Sequence, residues 1–405
     1  MKNKNKAKRH WLVLIICCGL IASSIGICVN VVGVFYTPVS EGLGVLKGTV
    51  AMQSTIAMIS MSLATLGVPK LIDKWGIRQT IIMGVFATAL TTGLMAFTNN
   101  IFIFYLLGAF RGVAVALFGF TPVTTIINNW FHEKHGFAMS VALSFTGIAG
   151  AVFSPVLTFC IDSFGWRNAH LVMGIMIIAL CLPAILFRFT FKPQEDGYLP
   201  YGFVEEVKQS GEQSGESSLK YARSILAAIL AFALLINLVA QITQHLPGFS
   251  ESLGHGSQVG AMMLSLGMLG NILAKLVMGS LCDRLGVAKV TISLVLMNTF
   301  SLLLLTVNPS SMTLLIAAFL FGSVFGVSSV GVALLTRYFF GKDNYVKIYP
   351  VISFAAGVGG AFALTIVGYI YDFTSSYHAA FYTGATFNLL SICLLCLAIK
   401  IKKKT

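Results

Sequence analysis

Long apolar runs follow one another along this chain with only short polar breaks, and that single feature leaves few folds open. A backbone in hydrocarbon must satisfy its own N–H and C=O groups, so only helices and closed barrels cross a bilayer. Runs of about 20 residues suit helices, whereas barrel strands need only about 10 with alternating polarity. Of the 405 residues 57% are hydrophobic and 10% charged, with a mean hydropathy of +0.86. Soluble domains carry about 25% charge. The composition therefore excludes a soluble catalytic domain, a disordered chain and a disulfide scaffold.

Hydropathy and helix breakers predict twelve spans. The first occupies 11–36, directly after a basic start, and is too long for a cleaved signal. Five follow at about 48–71, 79–97, 101–127, 136–160 and 167–189. Six more come at 222–246, 257–281, 288–307, 312–337, 348–371 and 379–399. The stretch between the sixth and seventh is polar and holds the run Gly-Glu-Gln-Ser-Gly-Glu-Ser-Ser, a solvated linker. The expected organisation is an N-terminal six-helix bundle at 1–190, a linker at 191–221 and a C-terminal bundle at 222–405.

Charge placement orients the chain. The formal net charge is +13, from 27 Lys and Arg against 14 Asp and Glu. Lys47 and Arg167 fall on one side of the expected membrane and Arg111 and Lys275 fall within spans. All the other cations lie on the side of the two termini, Lys134 and Lys400 among them. The positive-inside rule makes that side cytoplasmic. The expectation is a multi-pass protein of the cell membrane with both termini in the cytoplasm, and the basic charge reads as topology rather than as nucleic-acid binding. The eight cysteines lie in or beside apolar runs and form no zinc-like spacing, so no metal and no cofactor is expected.

The two halves repeat each other. Asp73-Lys-Trp-Gly76 returns as Asp283-Arg-Leu-Gly286, 210 residues later. Ser144-Phe145 with Gly150 and Phe153 returns as Ser353-Phe354 with Gly359 and Phe362, and Trp130-Phe131 as Phe339-Phe340, both 209 residues later. A duplicated six-helix unit places a ligand site near mid-membrane between the halves. In each Asp-x-x-Gly loop the glycine permits a sharp bend. The acid either caps the next helix or pairs with a neighbouring cation, so Asp73, Arg78, Asp283 and Arg284 are candidate gating residues. Gly147, Gly150, Gly357 and Gly360 on the fifth and eleventh spans are candidates for close, sliding helix contacts.

These motifs carry a resemblance. Gly279-Ser-Leu-Cys-Asp283-Arg-Leu-Gly286 resembles the loop motif of the major facilitator superfamily in its second-half copy. Pro69-Lys-Leu-Ile-Asp73-Lys-Trp-Gly76-Ile-Arg78 resembles the first copy, with Pro69 in place of the leading glycine. Asn129-Trp130-Phe131, Gly136, Ser144, Gly147, Gly150, Pro155 and Asp162-Ser-Phe-Gly165-Trp166-Arg167 are similar to the monocarboxylate and oxalate/formate carriers. The resemblance implies an all-α membrane protein of twelve transmembrane helices in two pseudo-symmetric six-helix bundles, working as a secondary transporter without enzymatic activity. The exporter motif Gly-x-x-x-Gly-Pro-x-x-Gly-Gly is absent from the fifth span. Leu107-Gly-Ala-Phe-Arg111-Gly112 nonetheless resembles a span-four motif shared with exporters, so export of amphipathic compounds stands as the alternative.

Charge at membrane depth indicates the substrate. A charged side chain at mid-bilayer costs at least ~2.5–3.5 kcal/mol and marks a functional position. Arg111 and Lys275 are expected there, while all 14 acids fall in loops, at span ends or in the linker. A buried ion without a partner is costly, and an anionic substrate supplies the missing charge. Arginine grips a carboxylate through two parallel hydrogen bonds. In the other reading, Arg111 bonds carbonyls or Asn30 structurally and Lys275 extends its stem to the interface.

Asn271-Ile-Leu-Ala-Lys275 stands where the monocarboxylate carriers have Asp-x-x-x-Arg, so the resemblance gives Lys275 the substrate carboxylate and puts Asn271 where the proton-carrying acid would be. The span-one lysine of some carriers is also absent from Phe35-Tyr36-Thr37-Pro38, and the eleventh span has no lysine. These departures argue against proton symport by the usual aspartate and against dicarboxylate exchange. Asn30, Tyr36, Asn237 and Gln241 complete the candidate cavity wall, and His245 is expected to be solvated near the span end. The expected partners are a small anion, the lipid bilayer, and a coupling proton or counter-anion, with the protein a monomer.

Overall fold

A computed structural model describes residues 2–131, 135–202, 219–307 and 310–404. Glu133, Lys134 and the acidic run of the linker lie outside these residues, and the side chain of Asp283 lies outside the described side chains.

Among the described residues ten helices are long and apolar enough to cross a membrane, and the bent pair Lys47–Thr65 and Val68–Trp75 makes an eleventh. The 50-residue stretch Phe137–Leu186 is two spans rather than one, because Gly165 (φ 80°, ψ 159°) breaks the helix within it. That brings the number to the twelve that hydropathy predicts. Many large apolar side chains point outward, among them Phe86, Phe102, Phe159, Phe300 and Leu397. Such exposure is the reverse of a soluble surface and suits lipid.

Two hydrophobic cores form, one drawn almost wholly from residues 13–189 and the other from 225–398. Leu264 of the eighth span joins the first core, and Met268 and Ile272 of that helix meet Gly150 and Gly147 of the N-terminal bundle; Asn271 and Lys275 follow three and seven residues after Met268. The duplication recurs in the backbone. Positive φ appears at Gly44 and Gly254, at Gly76 and Gly286, and at Gly165 and Ser375, each pair 210 residues apart. Gly76 and Gly286 supply the bends of the two Asp-x-x-Gly loops.

The bundles meet along two helix pairs, the second span with the eleventh and the fifth with the eighth. Gly48 and Gly368 let the first pair touch backbone to backbone, since a Cβ on Gly368 would lie 2.6 Å from Gly48 Cα. Gly147 and Gly150 serve the second pair, against Ile272 and Met268. The hydrogen bonds that tie the bundles together cluster in the half of the molecule away from the chain termini, called here the far side. Thr55 Oγ1 donates to Ala361 O at 2.6 Å, Ser265 Oγ to Ala151 O at 2.7 Å and Ser154 Oγ to Ala261 O at 3.2 Å. The structure is thus closed at its far side.

Candidate substrate site

The first and seventh spans are both interrupted. In the first, a π-helical turn at Ala22–Ile27 runs into a break and then a 3-10 turn at Val32–Phe35. In the seventh, the helix passes into a 3-10 turn at Gln241–His245. Proline follows each interruption, at Pro38 and Pro247, and cannot donate to the preceding turn. Irregular backbone at membrane depth is tolerated where it lines a cavity, and discontinuous helices of this kind build transporter sites.

A tight cavity of about 20 Å³, called here the chamber, lies beside these breaks. Its wall combines Cys28, Val29 and Val32 of the first span with Ser54, Ala57, Met58 and Met61 of the second. Arg111, Gly112 and Val115 of the fourth span, Gln241 and Gln244 of the seventh, and Leu364 of the eleventh complete it. A smaller void of about 10 Å³ adjoins the other side of Arg111, against Tyr36, Gln53 and His170.

Arg111 is buried, 3% exposed. Its Nη2 donates to Gln53 Oε1 at a long 3.4 Å, and its Nη1 reaches Met95 Sδ at 3.9 Å. Among the described residues no carboxylate meets it. Two further buried polar groups line the same void, Gln53 Nε2, which has no hydrogen-bond partner, and the Tyr36 hydroxyl, which has only Ser54 beside it. Each is a hydrogen-bond donor. A guanidinium with only weak acceptors, an O–H and an unpaired amide N–H form an environment complementary to an anion.

The other candidates are distributed around this centre. Gln241 lines the chamber with Arg111. Asn30 is buried but donates to Thr146 O at 3.1 Å within its own bundle, so it does not hold Arg111. Asn237 donates to Ala233 O of its own helix at 2.9 Å. Asn271 is buried with its Oδ1 unpartnered and its Nδ2 only 3.9 Å from Met268 Sδ. Lys275, one turn further toward the termini on the same face, is half-buried, and among the described residues none bonds to it. Neither Asn271 nor Lys275 lines the chamber in this closed arrangement.

At the terminal side, Asp73 is exposed and shares an open groove of about 600 Å³ with Arg78, Arg188 and Lys192. Arg78 Nη2 donates to Ile185 O at 2.8 Å, and Arg284 is exposed. Gly360 packs near Asn237 and Gln241, while a Cβ on Gly357 would meet only Ser62 Oγ, at 4.0 Å.

Two residues depart from the sequence reading. His245 is not solvated: it is 2% exposed, bonded to Leu364 O at 2.8 Å, with Tyr36 stacked obliquely at 5.2 Å. The break in the seventh span turns this residue inward, between the first and eleventh spans. Gln244 went unrecognised, although its side chain joins the two interrupted helices through two hydrogen bonds. Its Oε1 accepts from Gly33 N at 3.1 Å and its Nε2 donates to Asn30 O at 3.3 Å. A polar residue one turn beyond Gln241 was the available signal, but a continuous seventh helix would have pointed it elsewhere.

Comparison with known proteins adds the family context. The family model described as Major Facilitator Superfamily matches residues 16–270 and 246–405. Monocarboxylate transporter 13 of Rattus norvegicus is 24% identical over 363 residues, 88% of this chain and 81% of that protein. An uncharacterized MFS-type transporter of Bacillus subtilis, YcxA, is 22% identical over 357 residues, covering 85% and 84%. Among solved structures, the nucleoside transporter NupG superposes with a TM-score of 0.71 at 13% identity, covering 97% of this chain and 98% of that one. At that identity the likeness concerns the fold alone.

Proposed function

The chain belongs to the Major Facilitator Superfamily, and from that premise we propose that it carries a small organic anion, a monocarboxylate, across the membrane by alternating access. One observation carries the reading. Arg111 is buried at a chamber between the bundles, among the described residues with no carboxylate beside it and only weak partners. An unpaired buried cation is strongly destabilising, and a bound carboxylate neutralises it through charge-assisted bonds that are about twice as strong as neutral ones.

In this reading the chamber widens around the substrate: the carboxylate rests on Arg111, whose other side faces Tyr36 and Gln53, and the apolar body of the substrate lies against Val29, Ala57 and Val115. Lys275 continues the face of the eighth span that looks onto the N-terminal bundle, and it supplies a second positive station on the way to the terminal side. The relatives named monocarboxylate transporters support the same substrate class. Asn271 does not titrate, so coupling falls to a counter-anion or to a proton held elsewhere. The bundles at 1–190 and 222–405 rock about the chamber as a monomer in the cell membrane, with both termini cytoplasmic. The loops of Asp73, Arg78, Asp283 and Arg284 gate the cytoplasmic side.

Uptake of labelled carboxylates into proteoliposomes tests the proposal. Acetate, pyruvate, lactate and benzoate form the panel, and at least one is expected to accumulate in an Arg111-dependent manner. Accumulation of none, or full activity in Arg111→Gln, overturns it.

A second reading rests on Met58 and Met61 in the chamber wall. Methionine is polarizable and adapts to varied ligands, which suits export of amphipathic compounds. Cells lacking the gene would then become more sensitive to dyes and antibiotics, with no change in carboxylate uptake.

A further inference from the structure

Gln244 occupies an unusual position. It belongs to the seventh span, yet its amide fills the break in the first span of the other bundle, at 3% exposure. One freed donor, Gly33 N, and one freed acceptor, Asn30 O, are both met by this side chain. Only a primary amide offers an acceptor and a two-proton donor on one short head. Gly33 lets the two backbones approach, because a Cβ there would come within 2.9 Å of the Gln244 backbone carbonyl carbon.

The two bonds are unequal. Gly33 N to Oε1 is 3.1 Å, whereas Nε2 to Asn30 O is 3.3 Å and ends on a neutral carbonyl. Gln244 also lines the chamber that Arg111 lines from the opposite bundle. A carboxylate is a stronger acceptor than a carbonyl.

We propose that Gln244 is the C-terminal bundle's hydrogen-bond donor to the substrate carboxylate. The anion on Arg111 takes Nε2 away from Asn30 O, while Oε1 stays on Gly33 N. This rests on the anion reading above. It makes the substrate a bridge: Arg111 holds it from one bundle and Gln244 from the other, and the backbone latch to Gly33 survives occupancy. A neutral or cationic molecule has no equivalent hold on Nε2.

Cys28 lies in the same chamber wall and reports on occupancy. The full-length protein in liposomes is treated with N-ethylmaleimide, and modification of the Cys28 peptide is followed by mass spectrometry with acetate, pyruvate or benzoate as protectant. Hydrogen exchange of the segment containing Gly33 is followed in parallel. Gln244→Met removes donor and acceptor without adding charge. Its half-protecting concentration is expected to rise about tenfold, the equivalent of one charge-assisted bond at the low end of its range, and Gly33 is expected to exchange faster. Faster exchange with unchanged protection overturns the proposal, since it leaves Gln244 as a latch only.

Two further variants secure the result. Gln244→Glu in its protonated form keeps one O–H donor and one carbonyl acceptor, so its protection is expected to approach that of the wild type as pH falls. Failure to recover counts against the proposal even if Gln244→Met does not fold. Arg111→Gln separates the two claims. If it abolishes protection while Gln244→Met does not alter it, the Gln244 assignment falls and the anion reading stands. If no probe protects the wild type, or Arg111→Gln is protected as well as the wild type, the anion reading falls and takes this inference with it.

Discussion

Asp162 and Asp372 stand 210 residues apart in the chain and make the same connection on the two flanks of the bundle interface. Asp372 ends the eleventh span and accepts from the backbone N–H groups of Lys47 and Gly48, at 3.0 and 2.7 Å, where the second span begins. Asp162 ends the fifth span and accepts from Ser257 Oγ at 2.6 Å and Gln258 Nε2 at 3.5 Å, where the eighth begins. Lys47 and Ser257 are themselves 210 residues apart. Each carboxylate therefore sits at the positive end of a helix dipole belonging to the other bundle.

These two contacts close the far side, and neutralising them should loosen it. A charge at a helix N-terminus contributes about 0.3–1 kcal/mol. Asp372→Asn is expected to raise far-side labelling of a cysteine placed at Thr49 by roughly two- to fivefold, with Asp162→Asn/Asp372→Asn adding to it. Equal labelling in wild type and the double variant would remove the lock from the account.

The glycines divide by their surroundings. A Cβ at Gly48 would lie 2.6 Å from the Tyr369 ring and 2.7 Å from the Tyr369 backbone nitrogen. Overpacking of this kind costs about 1–3 kcal/mol, so Gly48→Ala should lower the melting temperature and favour the far-side-open arrangement. Gly357→Ala has room and should leave both properties unchanged. A neutral Gly48→Ala, or a damaging Gly357→Ala, contradicts the packing described.

Tyr36 offers a case where stability and function should part. Its hydroxyl is buried with only the Ser54 side chain beside it, and a poorly satisfied buried polar group costs about 1–3 kcal/mol. Tyr36→Phe should therefore leave the melting temperature equal or higher while weakening carboxylate binding several-fold. Loss of stability with normal binding would show that the hydroxyl serves the fold instead.

Lys275 lies outside the chamber in this arrangement, and its effect should differ from that of Arg111. Lys275→Gln is expected to raise the half-saturating carboxylate concentration about three- to tenfold by removing a partly screened charge. Maximal flux should persist. Complete loss of transport would instead put the primary anion contact at Lys275.

The legible part of this protein was what lipid and duplication impose. Apolar length located the spans, and the 210-residue register reappears in Asp73 with Asp283 and in the positive-φ glycines. Arg111 could be singled out because the sequence puts every acid in a loop, in the linker or at a span end. What stayed hidden depended on where the first and seventh helices break. Residues such as Gln244 and His245 point inward only because the chain leaves α-helical geometry at Gln241–His245, and no periodicity rule follows a side chain through such a break. Lys275 and Arg111 could be assigned a depth from the sequence, but not a common cavity.

The most direct test of the central claim compares a carboxylate with its own neutral amide on the purified protein. Melting temperature is measured with pyruvate against pyruvamide and with benzoate against benzamide, for the wild type and Arg111→Gln, since a ligand stabilises in proportion to its occupancy. A shift produced by a carboxylate, absent with its amide and absent in Arg111→Gln, is the predicted result. Equal shifts from acid and amide, or a carboxylate shift that survives loss of the guanidinium, would contradict it.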